Sequence, residues 1–112
     1  MAALANLLID QGASFSSTIT VFNSDDTIFD LTGYTGASQV RKSYSSSSAS
    51  ATFTVSFASD RSTGQVTLTL TPTQTAALEE GRYVYDVEVT STDRTVTRVL
   101  QGTVTVSPNA TR

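Results

Sequence analysis

The sequence predicts an all-β, antiparallel β-sandwich of seven to eight strands with one short helix at about residues 72–79. Three observations carry that expectation. Apolar and polar residues alternate with period two in several stretches, which gives each strand one apolar face. Turn residues recur at intervals of roughly ten residues, the spacing of a sandwich of short strands. The polar side of the alternation is hydroxylic: the 112 residues include 16 Ser and 20 Thr, while only 15% are charged. Threonine suits strands, and serine suits exposed turns.

No internal repeat or linker divides the chain, so one domain over residues 1–112 is expected, with an N-terminal arm at 1–6 and a C-terminal tail at 109–112. A chain of this length supports a single core of modest size. The net charge of −3 and the isolated basic pair Arg41–Lys42 argue against a nucleic-acid partner, which needs a concentrated basic patch. Zero Cys leaves no disulfide or thiolate metal site, and zero His removes the usual general base and commonest metal ligand. No apolar run approaches the roughly 20 residues that span a bilayer, so no membrane partner is expected. The opening MAALANLLIDQG lacks the basic stretch of a signal peptide, and Asp10 interrupts its apolar run.

Taken in order, Leu7–Ile9 reads as a first short strand closed by Gln11 and Gly12. In Phe15–Val21, Phe15, Ile19 and Val21 face one way and Ser16, Thr18 and Thr20 the other. Residues 23–26 are turn chemistry, and Ile28, Phe29 and Leu31 read as a short extended piece. A strand over Ser38–Tyr44 carries Val40 and the basic pair, and the serine-rich 45–50 is a solvated loop. Phe53, Val55 and Phe57, then Val66, Leu68 and Leu70, form a hairpin with one apolar and one threonine face. The last strand is expected to turn Val96, Leu100, Val104 and Val106 inward, with Gly102 marking a bulge or bend.

Thr71–Val89 is the densest local signal. Thr71, Pro72 and Gln74 spell a capping box with proline at the first helical position. Gly81 ends the turn, and Tyr83, Tyr85, Val87 and Val89 then share one strand face. The spacing of Leu78, Gly81, Tyr83 and Tyr85 resembles the entry to strand F of an immunoglobulin-like sandwich, where a tyrosine ties the corner to the backbone. Tyr83 and Tyr85 are therefore the expected structural corner.

Residues that invite a chemical role have plainer explanations. Asp25, Asp26 and Asp30 lack the glycine and distal glutamate of a calcium loop and read as turn residues. Asp86 and Glu88 share one strand face, whereas glycosidase carboxylates face each other across a cleft. Arg98, on a face assigned inward, is expected near a rim or paired with Asp86 or Glu88. Asn109-Ala110-Thr111 matches a glycosylation acceptor, without a secretion signal to give it meaning. Serine is abundant, but there is no histidine and no nucleophile elbow. A platform of Tyr34, Tyr44, Tyr83 and Tyr85 for carbohydrate competes with core roles for the last two. No catalytic, cofactor-binding or metal-binding residue is assigned, and the chain is expected to be non-enzymatic.

Four stretches together, Asp30–Tyr34, Gln39–Lys42, Gly81–Val87 and Gly102–Val106, resemble small immunoglobulin-like virion proteins of tailed bacteriophages. They are also similar to the N-terminal domains of phage baseplate upper proteins. Those baseplate proteins carry a helical or receptor-binding continuation, whereas a single domain is expected here. The resemblance implies a virion structural subunit, made in the host bacterial cytoplasm without a signal peptide. An accessory capsid decoration or cement role is favoured, a tail, neck or baseplate adaptor is the alternative, and a carbohydrate-binding module comes third. The implied partners are the major capsid protein or tail and baseplate subunits, with self-association in a symmetric assembly a further option. Leu4, Leu7, Leu8, Tyr34, Arg41 and Lys42 are the candidate contact residues.

Overall fold

The computed structural model describes residues 3–23 and 25–110. Within them lie the strands β1 (Ala3–Leu4), β2 (Leu7–Asp10), β3 (Phe15–Thr20), β4 (Thr35–Arg41), β5 (Ala51–Phe57), β6 (Gln65–Leu70), β7 (Gly81–Thr90) and β8 (Val96–Ser107). A short helix, α1 (Pro72–Ala76), links β6 to β7. β3 pairs with β6, and β6 with the second half of β5, Thr54–Phe57. The first half of β5, Ala51–Phe53, pairs instead with β4, which continues through β7 to β8. One strand thus serves both layers, and the sheet curls over at Phe53–Thr54. With β3, β6 and β5 in one layer and β4, β7 and β8 in the other, this is an immunoglobulin-like sandwich.

The core follows from the alternation. The Phe53 ring lies 5.8 Å from Phe15 and 6.0 Å, edge-on, from Tyr85. Val40, Val66, Leu68, Val87 and Val104 close around these rings and are fully buried. Burying each such side chain is worth about 1.5–3 kcal/mol, an upper figure because unfolded chains already hide part of this surface.

The helix forms for the local reasons expected. Thr71 Oγ1 accepts from the Gln74 amide at 3.2 Å, and Gln74 Oε1 accepts from the Thr71 amide at 2.9 Å. The helix ends at Ala76 rather than 79, where the chain turns to bury Leu78. Thr75, wholly buried, donates to the Ala13 carbonyl at 2.8 Å, and Gln11 Nε2 donates to the Leu78 carbonyl at 2.8 Å. These two bonds anchor the helical corner to the turn between β2 and β3.

Several expectations are corrected. β1 and β2 run parallel to β8, with Leu7 opposite Val104 and Ile9 opposite Val106, so the sandwich is mixed rather than purely antiparallel. The expected arm at 1–6 is in part a strand: Ala3 and Leu4 pair with Leu100 and Gln101. Residues 1, 2, 111 and 112 of the expected arm and tail lie outside the described residues. Ile28 and Phe29, expected as a short extended piece, turn back along the end of β3: Ile28 bridges Phe22 antiparallel and the Phe29 amide donates to the Val21 carbonyl at 3.0 Å. Asp25 and Asp30 each accept from the backbone amide two residues on and form the turns that flank the piece. The strand expected at 38–44 lies at Thr35–Arg41, which leaves Tyr44 in the following loop. In β8 the bulge falls at Val99, not Gly102. Val87 opposes Leu100 while Glu88 opposes Arg98, so Val99 is the extra residue and the inward phase changes there. Val96, expected inward, is consequently exposed.

Gly102 has a different reason to be glycine. A Cβ there would sit 2.2 Å from the Ala5 carbonyl oxygen, so the residue admits the chain crossing from β1 to β2.

Candidate functional site

Period two on β1 and β2 splits the N-terminal leucines. Ile9 is fully buried and Leu7 packs against the core, whereas Leu4 and Leu8 remain 73% and 62% exposed. Register sets these two beside Gln101 and Thr105 of β8, on the outer side of the edge that β1 and β2 form. The segment between them is fastened rather than loose. The Ala5 amide donates to the Gln101 carbonyl at 2.9 Å, the Thr103 amide donates to Asn6 Oδ1 at 3.1 Å, and Tyr85 donates its hydroxyl to the Ala5 carbonyl at 2.6 Å. An apolar pair is therefore held in a fixed place at an open sheet edge.

The other candidate contact residues do not converge with it. Tyr34 stands just before β4, half-buried, with its ring edge-on to Phe29 at 5.3 Å and its carbonyl accepting from Arg61 Nη1 at 2.6 Å. Arg41 closes the same strand, so the two are separated by the length of β4, about 23 Å at the usual strand rise. Lys42 holds its ammonium 4.4 Å from the centroid of the Tyr83 ring, a cation–π contact at the corner. Tyr83 itself donates to the Glu79 carbonyl at 2.7 Å, the expected tie. Burial, and then the Glu79 charge, push its hydroxyl pKa up. Tyr85, more deeply placed, is pushed up to about 12, mainly by burial and secondly by the nearby Tyr44.

The outer face of β4, β7 and β8 carries a feature that was not legible beforehand. Cross-strand register aligns Gln39, Asp86 and Gln101, with Arg41 next to Val84 and Glu88 next to Arg98. Arg98, at 51% exposure, places Nε 3.3 Å from Asp86 Oδ2, the pair named among its alternatives. Arg41 is fixed by donating from Nη1 to the Ser46 carbonyl at 2.9 Å and from Nη2 to Gln39 Oε1 at 2.8 Å. Together with Tyr44 they surround a depression of about 210 Å³, lined by Gln39, Arg41, Tyr44, Val84, Asp86 and Arg98. A second depression of about 200 Å³ continues from it along β7, sharing Gln39 and Asp86 and adding Glu88. The alternation of β4 and β7 implied each member, but only the register brings them into one row.

The tyrosine platform does not form: Tyr83 and Tyr85 are buried, Tyr34 is half-buried, and Tyr44 alone of the four is exposed, at 60%. The Asp25 and Asp30 carboxylates are occupied by Thr27 and Thr32, and those hydrogen bonds hold both below the usual carboxylate pKa. Asp93 is lowered in the same way by Ser91 and Thr95. Among the described residues no group of three or more acidic, His or Cys side chains is placed to hold a metal. Nor is any described helix long and apolar enough to cross a membrane.

No family model and no curated protein matches the chain. Solved structures do. CopC from Methylosinus trichosporium is 18% identical over 69% of this chain and 66% of its own, with a TM-score of 0.43. An internalin-like protein of Listeria monocytogenes is 16% identical over 96% of this chain but only 28% of its own, with a TM-score of 0.50. At such identity the second likeness speaks to the fold alone, and this chain spans only 28% of that protein's length.

Proposed function

We propose that this chain is a non-enzymatic structural subunit of a tailed-phage virion, acting as an accessory decoration or cement protein on the capsid. The observation that carries this is the sheet edge formed by β1 and β2, where Leu4 and Leu8 stay exposed on a segment that Tyr85, Gln101 and Thr103 hold in place. A fixed apolar pair at an open edge suits packing against a neighbouring subunit with little ordering cost. Covering both leucines contributes about 1.5–3 kcal/mol each, and lattice symmetry multiplies such modest contacts. The resemblance of the four stretches to virion proteins supports the same assignment. A neck, tail or baseplate position uses the same contact at lower copy number.

Deleting the N-terminal residues is a poor test, since Ala5 and Asn6 are bonded into the sheet. The double variant Leu4→Ser, Leu8→Ser removes the apolar pair and leaves those bonds intact. It is expected to keep its Tm within a few degrees, as surface changes do, and to lose co-sedimentation with particles. Normal association of the folded variant overturns the proposed contact. Copies per particle, counted by quantitative mass spectrometry, then separate a capsid position (hundreds) from a baseplate or neck position (roughly six or twelve under closed symmetry).

A further inference from the structure

Arg41 is a cation held out of full solvent without a carboxylate partner. Its two fixed hydrogen bonds go to neutral acceptors, and among the described residues the ion pair on this face belongs to Arg98 and Asp86. A guanidinium has five N–H donors in a rigid fork, so Arg41 keeps donors free in a known direction. A half-buried, pre-positioned and uncompensated cation is a natural carboxylate receptor. The depression also offers what a bare anion does not need. Tyr44 presents an exposed ring at its lip, Val84 gives an apolar wall, and Gln39 and Asp86 supply hydrogen-bonding groups in the same row.

We propose that this depression binds a carboxylated sugar residue of an acidic polysaccharide. The carboxylate meets the Arg41 fork and the outer N–H groups of Arg98, the apolar face of the ring lies against Tyr44, and hydroxyls donate to Asp86 and to Gln39. Acidic peptide is the weaker occupant. Asp86 lines the site and Glu88 lines its continuation, so a second carboxylate meets repulsion where a sugar hydroxyl finds an acceptor. For the same reason the neighbouring position along β7 suits a neutral sugar, which favours a mixed chain over a polyuronate.

The test is an NMR titration of the folded chain with sodium glucuronate, glucose and sodium acetate, following the Arg41 Nε–H and Tyr44 ring signals. Glucuronate is expected to shift both with a Kd on the order of 1 mM, as suits one small ligand on an open site, and to bind about tenfold more tightly than glucose or acetate. Arg41→Gln and Tyr44→Ala, each checked for an unchanged backbone spectrum, should each weaken glucuronate about tenfold. Arg41→Lys should fail to restore full affinity, because it keeps the charge and loses the fork. Acetate binding as well as glucuronate means a site for bare carboxylates such as acidic protein side chains, and overturns the sugar assignment. Shifts absent at roughly fifty times the expected Kd overturn the site altogether.

Discussion

Tyr83 and Tyr85 stand two residues apart on the same face of β7, both buried, both donating a hydroxyl to a backbone carbonyl. Their partners differ in kind. Tyr83 bonds Glu79, four residues back, and closes a local corner. Tyr85 bonds Ala5, eighty residues away, and ties the first strands to the sheet. The same residue type on the same strand thus does a local task and a global one. The difference is set by depth and by which segment passes overhead, not by the side chain.

The strongest way to break the Tyr85 tie is to push its partner away. Gly102 lies opposite Tyr85, and a Cβ there would collide with the Ala5 backbone. Gly102→Ala should therefore cost about 1–3 kcal/mol, the range of overpacking, or more if β1 and β2 detach. Thermal unfolding should show a Tm drop of several degrees, and hydrogen exchange should speed up along Leu7–Asp10. Unchanged exchange there means that the crossing at Ala5 and Asn6 accommodates the methyl, and the tie is looser than described.

Removing one oxygen from each tyrosine sharpens the contrast. Tyr85→Phe strands a carbonyl packed beneath β8 and should cost about 1–3 kcal/mol, whereas Tyr83→Phe frees the carbonyl of exposed Glu79 to water and should cost about 0.5–1 kcal/mol. Denaturant melts measure both. Equal losses would show that the local and the long-range bond are energetically alike and remove the distinction.

The smallest effect is alkaline. Burial holds the Tyr85 hydroxyl pKa at about 12 in the folded protein, against about 10 for a solvated tyrosine. Between these values the folded chain keeps a proton that the unfolded chain loses, so stability from this group is intact below pH 10 and falls as pH rises toward 12. Stability measured from pH 9 to 11.5 should decline with a component absent in Tyr85→Phe. Parallel declines in both chains would mean that Tyr85 ionises normally.

Where the signals were local, sequence was enough. Thr71, Pro72 and Gln74 specify the helix start within four residues, and Tyr83 finds its acceptor within one turn of chain. The alternation at Phe53, Val55 and Phe57, and at Val66, Leu68 and Leu70, sorts inside from outside because a pleated strand admits no other arrangement. Legibility fails where one residue changes the phase or the pairing. The extra residue at Val99 turns Val96 and Arg98 outward, and nothing in the local pattern marks it. The parallel seating of β1 and β2, and with it the need for glycine at 102, depends on a chain end meeting a strand some ninety residues later. The depression between Arg41, Tyr44 and Arg98 has the same origin, since cross-strand register decides which of many polar side chains become neighbours. Short-range hydrogen bonding and period-two burial are properties of a segment and can be read from it. Register, bulge position and edge pairing are settled by how the whole core closes, and only the tertiary structure holds that information.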